Sequence, residues 1–135
     1  MIIVLDASAA LEIALNNTES DRFAEIISNA KLVIAPDIYP SEVVNAFWKY
    51  AAYSDMDEDK FKSGIDYCID LIEDFIPTKF LSREVFSEAI NHQHPSYDIF
   101  YAVIARRNDA ILVSKDKKLK KIAKIMGVKT VDDLT

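Results

Sequence analysis

The sequence predicts an α/β fold of three layers, α/β/α, around a central parallel sheet of four to five strands. Three observations carry this expectation. Short β-branched runs alternate with longer stretches of helical periodicity along the whole chain, the pattern produced when crossover helices join parallel strands and cover both faces of a sheet. The 135 residues include only two glycines and four prolines, with no repeat or low-complexity tract, so no linker divides them. At half hydrophobic composition, a chain of this length can bury roughly two thirds of its unfolded surface in one core without disulfides or a structural metal. The expectation is one domain over residues 1–135.

Taken in order, residues 2–5 (IIVL) read as the first strand, followed by helices over 8–15 and 19–30. Residues 32–35 are the second strand. The next helix, 40–54, opens on Pro40 and Ser41, a good start because proline suits the first turn; Val44, Phe47, Trp48 and Ala51 are expected to form its core face. A helix over 57–75 leads to a weaker strand over 76–81, and a short helix over 82–91 follows. The helix over 96–107 starts after Pro95 and Ser96 and is apolar nearly all round, as buried helices are. Residues 111–114 form a further strand, 117–126 a last helix closed by Gly127, and 128–131 a final strand.

Composition narrows the class. A single cysteine, Cys68, excludes an internal disulfide framework and a Cys-rich zinc cluster, and is expected to pack as a small hydrophobe. The N-terminal apolar run lacks a basic flank and is interrupted by Asp6 and Glu12, so it does not read as a targeting segment. No stretch approaches the roughly 18 apolar residues of a membrane span. A cytoplasmic protein without membrane contact is expected. The formal charge of −6 at first argues against nucleic acid, whose phosphates attract basic surfaces.

In open α/β sheets, ligands bind beyond the carboxyl ends of the strands, and four acids fall there. Asp6 directly follows IIVL. Glu42 lies in the first turn of the helix over 40–54, on one polar stripe with Asn45 and Lys49. Asp98 is the only charged side chain in YDIFYAVIA, and Asp116 sits between AILVSK and KKLKKIAKIM. Each has a plain alternative as a helix cap or a partner of the helix dipole. Four carboxylates converging on one crevice, however, repel one another and call for a metal ion. An acidic cluster without soft ligands suits Mg²⁺ or Mn²⁺ better than zinc.

Together the segments VLDAS, PSEVVNAFWK, YDIFYAVIA and LVSKDKKL, in this order across nearly the whole chain, resemble the PIN-domain family, and among its members the compact VapC-type toxins. The resemblance implies a Mg²⁺- or Mn²⁺-dependent endoribonuclease that cuts single-stranded RNA to leave a 5′-phosphate and a 3′-hydroxyl. Asp6, Glu42, Asp98 and Asp116 would be its catalytic and metal-holding residues. Ser8, Asn45 and Ser114 would orient carboxylates or waters, with ordinary capping or surface roles as the alternative. Ser114 stands where the family usually has threonine, a change that keeps the hydroxyl. A small antitoxin protein and a homodimer are the implied partners. RNA processing without an antitoxin, and a non-catalytic interaction module of the same fold, are the competing readings.

Charge is segregated in a way that reopens the question of RNA. Residues 1–105 carry 18 acids and 7 bases, whereas residues 106–135 carry 4 acids and 9 bases. Arg106, Lys115, Lys117 and Lys118 are the candidates for binding phosphates beside the metal site; the alternative is a solvated helix face. His92 and His94 lack the further ligands of a zinc site and read as part of a polar loop before Pro95. Were they catalytic with a lysine, cleavage would be metal-independent. A phosphoacceptor domain with an acidic Mg²⁺ pocket fits poorly, because Asp55 and Asp57 fall between helices and do not end a strand.

Overall fold

The computed structural model describes residues 1–55 and 57–134. Among these residues, four parallel strands form one sheet: β1 (Ile2–Leu5), β2 (Leu32–Pro36), β3 (Asp74–Ile76) and β4 (Ile111–Val113). Their spatial order is β3-β2-β1-β4. Ile3 pairs with Val33 on one side and Ile111 on the other. The chain therefore builds outward from β1 through β2 to β3, then returns to add β4 on the opposite flank. That reversal lies between β1 and β4, and the crevice over their carboxyl ends is where this architecture binds ligands.

Among the described residues, seven α-helices connect and cover the strands: α1 (Ala7–Ala14), α2 (Ser20–Ser28), α3 (Tyr39–Ala52), α4 (Glu58–Asp70), α5 (Ser82–His92), α6 (Ser96–Arg107) and α7 (Lys117–Ile125). The apolar α6 packs against β1, β2 and β4. It buries Ile99 and every side chain from Tyr101 to Ala105, so Asp98 in its first turn is held at the sheet's carboxyl edge by a largely buried helix. Gly127, at φ +84°, closes α7 in the left-handed conformation that glycine adopts without strain.

Three expectations are corrected. The weak strand over 76–81 begins and ends earlier, at Asp74–Ile76, because Pro77 offers no N–H to continue the ladder; Thr78–Leu81 is a 3-10 turn. The last strand reduces to an isolated bridge between Leu112 and Thr130. Thr130 instead caps a 3-10 turn, Val131–Asp133, with Asp133 accepting from the Thr130 N–H at 2.8 Å. The core face of α3 is Tyr39, Val43 and Phe47, whereas Val44, Trp48 and Ala51 are exposed, Trp48 at 65%. The true stripe lies about 100° round the helix from the expected one. Phe47 alone belongs to both, lying against Phe61 edge to face at 5.9 Å.

Candidate metal and RNA site

Asp6 leaves β1 and enters α1. Its Oδ1 accepts from the Ala9 N–H at 3.0 Å and from the Ser8 hydroxyl at 2.7 Å, and its Oδ2 accepts a short hydrogen bond from the Ser114 hydroxyl. Asp6 is thus a helix cap and a crevice acid at once. It is 6% exposed. Burial pushes its carboxyl up from 3.8 to about 6, with Asp98 adding repulsion, although three hydrogen bonds pull the other way.

The other acids arrive from separate elements. Glu42 lies in the first turn of α3, where Oε1 accepts from the Tyr101 hydroxyl at 2.5 Å. Burial raises its pKa; the Tyr101 bond opposes this, and Asp98 and Asp6 add to it. Asp98 Oδ2 is hydrogen-bonded to His94 Nε2 at 2.8 Å. Asp116 caps α7, with Oδ1 accepting from the Lys118 and Leu119 N–H groups at 2.9 and 3.1 Å. Its own N–H donates to Ser114 Oγ at 2.9 Å. Ser114 therefore touches two of the four acids.

All four acids line one cleft of about 520 Å³, together with Ser8, Asn45 and Lys49. They surround the space and do not close on a point: among the described residues no three His, Cys, Asp or Glu side chains are gathered as a ready ligand set. The donor chemistry nevertheless fits a hard divalent cation. Every candidate ligand is a carboxylate, and two of them are pushed toward protonation by burial and by their acidic neighbours. A divalent ion among them relieves that repulsion.

Tyr101 and His94 are the residues that sequence reasoning missed. Tyr101 is buried, as expected of a core position, yet its hydroxyl is spent on Glu42. Sequence proximity held a signal for His94 alone, which stands four residues before Asp98, whereas the partner of Tyr101, Glu42, is 59 residues away. His92 is turned away to Glu88 at 3.5 Å and forms no pair with His94 toward the cleft.

The basic candidates divide. Lys117 lies at the head of α7, followed by Lys118, and Lys117 also lines a second cleft of about 480 Å³ with Lys120, Lys121 and Lys124. Arg106 does not stand beside the acids. It ends α6, about 12 Å along the helix from Asp98, and pairs with Glu84 at 2.9 Å and Glu88 at 3.5 Å. Lys115 does not project freely either, because its ammonium meets Glu12 Oε1 at 2.9 Å. Lys49 was expected only as part of a polar stripe, and it is a cation lining the acidic cleft itself.

Comparison with known proteins agrees with this fold. The family model described as PIN domain matches residues 3–125. Ribonuclease VapC3 of Pyrobaculum aerophilum is 27% identical over 124 residues, covering 88% of this chain and 92% of that protein. Among solved structures, PAE2754 from Pyrobaculum aerophilum superposes with a TM-score of 0.77 at 22% identity, over 99% of this chain and 86% of that one. VapBC2 from Rickettsia felis, bound to a DNA fragment from their promoter, superposes with a TM-score of 0.67 at 17% identity, over 96% and 97% of the two chains. FitAcB from Neisseria gonorrhoeae gives 0.63 at 15% identity, over 95% of each. At these identities the structural likeness is one of fold.

Proposed function

The chain belongs to the PIN domain family, and on that premise we propose that it is a Mg²⁺- or Mn²⁺-dependent endoribonuclease that cleaves single-stranded RNA, acting as the toxin of a toxin–antitoxin pair. The observation that carries the reading is the convergence of Asp6, Glu42, Asp98 and Asp116, from four separate elements, on one cleft. The relative named Ribonuclease VapC3 supports the reaction class, and the neighbour named VapBC2 supports an antitoxin partner. A homodimer belongs to the same proposal. So does a cytoplasmic location, where RNA is at hand; among the described residues, no helix is long and apolar enough to cross a membrane.

The four carboxylates would hold the divalent ion. When bound, such an ion offsets negative charge building on the phosphodiester and makes water a stronger nucleophile at neutral pH. The protein's own part is positional. Ser8 and Ser114 fix both oxygens of Asp6, Tyr101 fixes Glu42, and His94 fixes Asp98, so that the acids are oriented around one cleft. Asn45 lines the same cleft and can hydrogen-bond a carboxylate or the RNA. Lys49 at the cleft, with Lys117 and Lys118 at the head of α7, would bind phosphates on either side of the scissile bond.

Incubation of a labelled single-stranded RNA with the protein tests the reading. Cleavage should stop in EDTA, return with Mn²⁺, and leave 5′-phosphate ends. Cleavage that survives EDTA and leaves 2′,3′-cyclic phosphates would overturn it.

A further inference from the structure

The turn that carries Ser114 and Asp116 is gripped from outside by α1, and the grip uses a buried acid with no place in the site described above. Glu12 lies in the middle of α1, one turn after Ser8, so both face the same way. Its side chain is 2% exposed, whereas that of Lys115 is 44% exposed. Glu12 Oε2 accepts from the Glu19 N–H at 2.8 Å, and Oε1 accepts from Lys115 Nζ at 2.9 Å. Ser8 Oγ accepts from the Lys115 N–H at 3.0 Å. One residue of the β4–α7 turn is therefore held at both its backbone and its side-chain end by two residues of one helix.

The residues on either side of Lys115 contact the acids of the cleft. Ser114 donates to Asp6, and the Asp116 N–H donates to Ser114 Oγ. A displacement of Lys115 is thus passed to both. Breaking the pair at the Lys115 end leaves a buried carboxylate without its counter-charge, held only by the Glu19 N–H and Asn17, which is why a contact that is half-exposed on one side is worth more than an ordinary surface ion pair.

Resting on the ribonuclease reading above, we infer that Glu12 is a positioning residue, and that it acts by holding Lys115 as a clamp, which sets the turn bearing Ser114 and Asp116 against Asp6. Lys115 is in this account a structural cation facing the protein and does not bind an RNA phosphate. Its assignment separates it from Lys117 and Lys118, its neighbours in sequence.

Two variants, Glu12→Gln and Lys115→Met, keep the shape of each side chain while removing the pairing, and Lys115→Arg preserves it. In the metal-free protein, amide exchange at Lys115 and Asp116 should accelerate by about tenfold or more in E12Q and K115M, with K115R close to wild type. Exchange at these two amides that is unchanged in both variants overturns the clamp, whether or not the protein cleaves RNA. In the cleavage assay, E12Q and K115M should lower kcat with little change in KM or in salt dependence, and the double variant should be no worse than the weaker single one. A raised KM and a shallower salt dependence in K115M, with E12Q unaffected, would instead make Lys115 a phosphate ligand and contradict the inference.

Discussion

At the residue scale, each acid of the cleft is legible by its place at a strand-to-helix junction or in a first helical turn, but its partner is not. Asp98 stands out in YDIFYAVIA as its only charged side chain. The hydroxyl that steadies Glu42 comes from Tyr101, 59 residues away, and no local pattern announces such a contact. Removing it should matter: Tyr101→Phe leaves a half-buried carboxylate short of a donor and should cost about 1–3 kcal/mol in denaturant unfolding, with no loss of aromatic packing to confuse the result. Asp6 supplies a pH test. Its folded pKa of about 6 lies above the unfolded value of 3.8, so the unfolded state gives up its proton first. The group therefore favours folding at low pH and opposes it as pH rises from about 4 through 6, by up to about 3 kcal/mol. Thermal unfolding in EDTA should show this decline in the wild type and lose it in Asp6→Asn. Burial also opposes ionisation of Glu12 and Glu84, but the Glu19 N–H, Lys115 and Asn17 outweigh it for Glu12, and Arg106 and Arg107 for Glu84, so both pKa values are lowered. These two acids lose stability as pH falls through their folded values, which sets the lower edge of the same curve.

At the element scale, helix and strand order was readable because periodicity is local, and the errors mark where a different local rule prevailed. Pro77 cut a strand short, and the Thr130–Asp133 capping box turned an expected strand into a turn. In α3 the misreading of Val44 and Trp48 as core arose because a helix with Glu42, Asn45 and Lys49 toward the cleft has several apolar residues left over, and only Tyr39, Val43 and Phe47 reach the interior. α3, and with it Glu42, is packed against both α1 and α4, and the contact with α4 can be tested. The Tyr39 hydroxyl donates to the Cys68 carbonyl at 2.7 Å. A Cβ at Gly64 of α4 would lie 2.8 Å from the Phe47 ring. Gly64→Ala gains up to about 1 kcal/mol of helix propensity but must displace a buried ring, which typically costs about 1–3 kcal/mol. Its melting temperature should fall; a rise would show that α3 and α4 are not packed as described.

At the scale of the whole molecule, the acidic total hides a division of labour that the sequence shows only in part. The basic segment after residue 105 was visible by counting, yet much of it faces acids of this same chain. Arg106 and Arg107 face Glu84, Lys115 faces Glu12, and Lys120 faces Asp132. Those partners are distant in sequence, so the count alone overstated the charge available to RNA. Lys117 and Lys118, next to Asp116 at the head of α7, remain candidates alongside Lys49 of the cleft. Changing both to Gln should leave the metal-dependent reaction in place but reduce the slope of log affinity against log salt by about 1.4, since each single-strand phosphate contact contributes about 0.7. The central claim is the proposal that four carboxylates from four elements hold divalent metal in one cleft. Titration of the purified protein with Mn²⁺ by calorimetry tests it most directly. The account predicts saturable binding in the wild type, weakened about tenfold or more by each of Asp6→Asn, Glu42→Gln, Asp98→Asn and Asp116→Asn with the fold retained by circular dichroism. Binding of undiminished affinity in all four variants would contradict it.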